Sequence, residues 1–69
     1  MGTVPAPELD LAQLSSIATA LGDLTHRVTA IADQFQGTPR EDVAADLYDV
    51  ERNLQAATRR VERLLRNSR

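Results

Sequence analysis

Leu14, Ile17, Leu21, Leu24, Val28, Ile31 and Phe35 follow one another at alternating steps of three and four residues, without a miss. Val43, Leu47, Val50, Leu54, Ala57, Val61 and Leu64 repeat the pattern with its phase reversed. A hydrophobic period of about 3.5 residues keeps one stripe of a helix against a nearly parallel neighbour, and it does not fit the two-residue alternation of a strand. Gly37, Thr38 and Pro39 separate the two runs. The expected fold is therefore all-α, an antiparallel two-helix hairpin with coiled-coil-like heptads.

Local signals set the expected boundaries. Residues 1–6 carry Gly2 and Pro5 and no period, so they are expected to form a flexible tail ahead of a hairpin domain over 7–69. The first helix is expected over 7–36, with Pro7 in its first turn and Glu8 and Asp10 at the positive end of its dipole. The turn is expected at 37–38, where Gly37 supplies the left-handed residue that closes a helix. The second helix is expected over 39–66, with Thr38 as N-cap, Pro39 in the first position and Glu41 reaching back to the cap amide. At 1.5 Å per residue the helices would be about 45 and 40 Å long, close enough to lie side by side.

The apolar stripe is wider than one seam needs. With Leu14 at heptad position a, Leu11, Ala18, Thr25 and Ala32 fall at e, and Ala44 and Leu65 extend the second helix in the same way. A hairpin covers only one side of each helix, and its aromatic content is 3%, from Phe35 and Tyr48 alone. Two hairpins pairing into a homodimeric four-helix bundle would cover the remainder. In that bundle Leu14, Ile17, Leu21, Leu24, Val28, Ile31, Phe35, Val43, Leu47, Val50, Leu54, Val61 and Leu64 are expected to form the core, with Leu11, Ala18, Ala32, Ala44 and Leu65 covered by the second copy. Charge agrees with pairing: Glu41, Asp42, Asp46, Asp49 and Glu51 lie early in the second helix, and Arg59, Arg60, Arg63 and Arg66 lie late. Two copies of that helix running in opposite directions would bring unlike halves together.

Little remains for chemistry. The chain has no Cys and one His, so thiolate metal sites and disulfides are excluded. His26 is expected on the outer face at f, where Asp23 could pair with it but no nucleophile lies nearby. Asp42, Asp46 and Asp49 recur at helical spacing without the inward-facing Glu-x-x-His motifs of metal-binding bundles. No catalytic residue, cofactor or metal is expected. A net charge of −2 gives no general attraction to nucleic acid or anionic membrane. No apolar run approaches the roughly 20 residues that span a bilayer, and no signal peptide is recognisable, so a cytoplasmic location without membrane insertion is expected. All eight basic residues are Arg, as in proteins from GC-rich, bacterial genomes.

Two features suit a partner other than a second copy. Tyr48, at b, is an exposed-position aromatic near Arg52, of the kind enriched at protein interfaces. Arg59, Arg60, Arg63 and Arg66 form a cationic cluster suited to an acidic protein surface or, alternatively, to phosphate ligands or nucleic acid. The expected function is a small non-enzymatic protein–protein interaction module, an adaptor, scaffold or regulator. Phe35-Gln36-Gly37 at the turn resembles the aromatic-x-Gly turn of the Trp-x-Gly helical-hairpin substrates of type VII secretion. That family's export signal places an acid four residues after a Tyr, whereas Arg52 stands four residues after Tyr48, and the family is not assigned.

Overall fold

The computed structural model describes residues 2–68 and contains two helices, α1 (Leu11–Phe35) and α2 (Glu41–Asn67), packed antiparallel as a hairpin. Met1 of the expected tail and Arg69 of the expected domain lie outside the described residues. Residues 2–10 carry no regular structure.

The start of α1 lies four residues later than expected at Pro7. Asp10 has extended backbone (φ −79°, ψ 91°), and its Oδ1 accepts the Gln13 amide at 2.9 Å. A carboxylate that satisfies one of the free amides ends the advantage of extending the helix backward. Pro7 also holds Ala6 away from helical geometry. Pro7 and Glu8 thus precede the helix, and Asp10 caps it.

The turn is a hydrogen-bonded reversal. Gln36 has φ −65° and ψ 134°, Gly37 has φ +75°, and the Thr38 amide donates to the Phe35 carbonyl at 3.2 Å. These are the dihedrals of a type II turn, whose third residue needs positive φ. Gly37 is the only described residue with positive φ. Thr38 belongs to this turn instead of capping α2. Its hydroxyl donates to the Phe35 carbonyl and accepts the Arg40 amide at 3.2 Å. The N-cap of α2 is Arg40, with no side-chain cap bond, so the expected Thr38–Glu41 capping box does not form. Glu41 and Asp42 still place negative charge in the first turn of α2, and Arg66 places positive charge in its last.

The seam between the helices is rotated from the expected one. The covered rows are e and a: Leu11, Leu14, Ala18, Leu21, Thr25, Val28, Ala32 and Phe35 on α1, and Ala44, Leu47, Glu51, Leu54, Thr58, Val61 and Leu65 on α2. Ala32 is fully buried and Ala44 is 4% exposed, the two most enclosed side chains. Leu11, Ala18, Ala32, Ala44 and Leu65, expected to await a second copy, therefore lie within the single hairpin. Small e residues let the helix axes approach where bulkier d residues would hold them apart. The threonines of the row bond within their own helices, Thr25 to the Leu21 carbonyl at 2.7 Å and Thr58 to the Leu54 carbonyl at 2.8 Å. The rotation also draws part of the b row inward, so Gly22, Thr29 and Tyr48 are half-buried, while Ser15, Gln36, Gln55 and Glu62 at the same position stay exposed.

Candidate interaction surfaces

Rotation of the seam leaves the d rows uncovered. Ile17 (43% exposed), Leu24 (44%), Ile31 (46%), Val50 (41%) and Leu64 (49%) are large aliphatics in contact with water, although the sequence pattern assigns them to the core. Val43 and Ala57 continue the α2 row as half-buried residues. In an antiparallel pair whose seams share the same heptad rows, both d rows emerge on the same side. The cross-helix pairs Tyr48–Asp33 and Thr29–Glu51 set the register. That register places Ile31 beside Val50, Leu24 beside Ala57, and Ile17 beside Leu64. One face of the hairpin is thus a ladder of aliphatic rungs.

The opposite face is polar. The Tyr48 hydroxyl donates to Asp33 Oδ1 at 2.6 Å and lies 3.1 Å from Gln36 Oε1, tying α2 to the end of α1. The hydrogen bond to the Asp33 carboxylate is the main cause that raises the Tyr48 pKa above the usual tyrosine range, with desolvation adding to it. Thr29 donates to Glu51 across the seam, and its hydroxyl also lies 3.0 Å from the Thr25 carbonyl. These partners, Asp33, Gln36, Thr29 and Glu51, were not singled out by sequence periodicity. The signal that could have found them is the hairpin register, which sets b of one helix against b, e and f of the other.

Farther from the turn, an open groove is lined by Gly22, Thr25, His26, Gln55, Thr58, Arg59 and Glu62. The missing side chain at Gly22, where an added Cβ would meet nothing within 4 Å, makes the dent. Its Thr25 and Thr58 hydroxyls are already committed to helix carbonyls. Glu62 offsets Arg59, so the groove has no strong preference for either charge.

The arginines spread over the outward side of α2. Arg52 pairs with Asp49 one turn away, both largely exposed. Arg59 lines the polar groove, Arg66 follows it one heptad later on the same stripe, Arg60 borders the aliphatic face, and Arg63 lies between these on the outer back of α2. Among the described residues these four form no ion pair. At the turn, Arg40 Nε lies 3.1 Å from Asp42 Oδ1, and that hydrogen bond lowers the Asp42 pKa while raising that of Arg40. Among the described residues no group of three His, Cys, Asp or Glu side chains is placed to hold a metal ion, and no helix is long and apolar enough to cross a membrane.

Comparison with protein families, with characterised proteins and with solved structures returns no match to this chain.

Proposed function

We propose that this chain is a non-enzymatic protein–protein interaction module, an adaptor, scaffold or small regulator whose working unit is a homodimeric four-helix bundle. The observation that carries the reading is the aliphatic face of Ile17, Leu24, Ile31, Val50 and Leu64, each more than two-fifths exposed. A compact folded monomer of 7.6 kDa is expected to expose about 4,300 Å², and this chain exposes 5565 Å². Its radius of gyration is 17.1 Å, against about 11 Å for a compact domain of the same length.

A second copy of the same hairpin fits that deficit of interior. By the same scaling, a compact pair would expose about 7,100 Å², so pairing two such surfaces removes about 4,000 Å². The irregular residues 2–10 keep part of that area exposed, which leaves an interface in the range of about 2,000–5,000 Å² found in obligate homodimers. Covering the d rows also gives Ile17, Leu24 and Ile31 the packing that their spacing specifies.

Light scattering on the full chain tests this. The expected mass is twice 7.6 kDa, falling to that of one chain when Leu24→Asp and Ile31→Asp are combined. A single-chain mass for the unaltered protein at full helicity would overturn the reading.

The unpaired arginines on the back of α2 favour a second reading, an anionic ligand or nucleic acid held by the dimer. Binding that weakens steeply with salt and is lost in Arg59→Ala plus Arg63→Ala would support it. Protein binding that survives those changes supports the first reading.

A further inference from the structure

We propose that two copies pack aliphatic face to aliphatic face with their turns at opposite ends, α2 of one against α2 of the other. This inference rests on the reading that a second copy covers the face. Two flat faces related by a two-fold axis can meet in only two ways. An axis parallel to the helices puts both turns at one end and sets α1 over the partner's α2. An axis across the helices puts the turns at opposite ends and sets like helix over like, antiparallel. In the hairpin register the α2 midpoint, residue 54, lies beside residue 27 of α1, so an axis across the helices there overlaps α2 with α2 along its full length and α1 with α1 over its turn-proximal part.

The rim of the face chooses between them. On α2 the position flanking the d row is occupied by Asp46, Asn53 and Arg60, one per heptad. Asp46 and Arg60 stand at equal distances on either side of Asn53, which lies next to the α2 midpoint. With the axis across the helices, Asp46 meets the partner's Arg60, Arg60 meets the partner's Asp46, Asn53 meets its own copy and, on the α1 rim, so does Arg27, one like-charge contact against two unlike-charge pairs. With the axis along the helices, Asp46 meets Gln34 of the partner subunit and Arg60 meets Ala20 of the partner subunit. Neither of those contacts pairs a charge. Asp46 and Arg60 are exposed and form no ion pair among the described residues of the hairpin, so both face solvent where a second copy would meet them.

The wider charge distribution points the same way. Glu41, Asp42 and Asp49 crowd the turn end of α2, and Arg63 and Arg66 crowd its free end. Turns at one end would bring two acidic ends together and two basic ends together. Turns at opposite ends place each acidic end beside a basic one. The ladder of rungs tolerates this reversal because it is nearly palindromic. With the axis at Asn53, Ile31 beside Val50 packs on Leu24 beside Ala57 of the partner subunit, and Val43 packs on Leu64 of the partner subunit.

The chain has no Cys, so one engineered thiol carries one spin label per copy. Arg40→Cys places it at the turn, at an exposed position whose side chain makes no cap bond to α2. Turns at opposite ends predict a label-to-label distance of about 35 Å or more, from about thirteen residues of helix on each side of the axis. Turns together predict about 20 Å or less, set by neighbouring helix axes about 10 Å apart. The short distance would overturn the proposed orientation and leave the dimer standing. Absence of dipolar coupling together with a single-chain mass would overturn the dimer itself. A charge exchange checks the contact without a label: Asp46→Arg or Arg60→Asp alone is expected to weaken dimerisation about tenfold, and the two together to restore it. Failure of the double variant to recover would overturn the Asp46–Arg60 contact and the orientation it supports.

Discussion

Two glycines of this chain have equal room for a side chain, yet substitution by alanine should move stability in opposite directions. A Cβ added at Gly37 or at Gly22 meets nothing within 4 Å, so sterics with neighbours contribute to neither change. Gly37 has φ +75° in the turn, and an L-residue there costs about 1–2 kcal/mol. Alanine also restricts the unfolded chain, which returns about 0.4–1 kcal/mol. The net loss for Gly37→Ala is about 1 kcal/mol per chain, which in a domain of this size lowers the melting midpoint by about 4–8 °C. Gly22 lies inside α1 with ordinary helical backbone, and Gly22→Ala should gain about 1 kcal/mol from helix propensity. Urea unfolding followed by circular dichroism, at one fixed protein concentration, reads both changes. A D-alanine placed at position 37 by chemical synthesis should stabilise, because its mirror-image backbone preference matches positive φ. If Gly37→Ala stabilised, or both substitutions shifted the midpoint the same way, the turn geometry described here would be wrong.

Asp10→Ala removes the side-chain cap from α1 and should cost about 1 kcal/mol in the same assay, with Asp10→Asn largely restoring it. Tyr48 should titrate above the usual tyrosine range in an ultraviolet pH titration, and Asp33→Asn should move it down, because the carboxylate is the main cause of the shift. Since folding raises this pKa, the stability it contributes is complete below the unfolded tyrosine pKa and is lost as pH rises through the folded value. A Tyr48 midpoint that ignores Asp33 would remove that contact from the account. Thr29→Val leaves half-buried Glu51 without its cross-helix donor and should destabilise, whereas Thr29→Val with Glu51→Leu should recover most of the loss. Equal losses in the single and double variants would contradict a hydrogen bond there.

The fold class was legible because heptad spacing and a Gly-Thr-Pro break are local signals with local causes. Gly37 could be placed for the same reason, since few other residues accept its backbone. The helix starts were less legible. Pro7 and Thr38 are both acceptable at helix entrances, and the choice fell to hydrogen bonds that Asp10 and the turn make instead. The seam was the largest miss. A stripe three positions wide holds two possible three-four seams, and periodicity scores them alike. Packing distance separates them: alanines at 18, 32 and 44 let the helices close on the e side, which pushes Ile17, Leu24 and Ile31 outward. Tyr48 read as a free aromatic because its partner, Asp33, lies on the other helix, beyond what periodicity along one helix can register.

We propose that one hairpin lacks the interior to stand alone and that pairing supplies it. Ala32 and Ala44 are the only buried side chains among the described residues, and none of the large ones is fully enclosed. The most direct test is the thermal unfolding midpoint measured over a hundredfold range of protein concentration. Folding coupled to dimerisation predicts a midpoint that climbs steadily as concentration increases. A sharp, cooperative transition at one temperature across that whole range would contradict the claim.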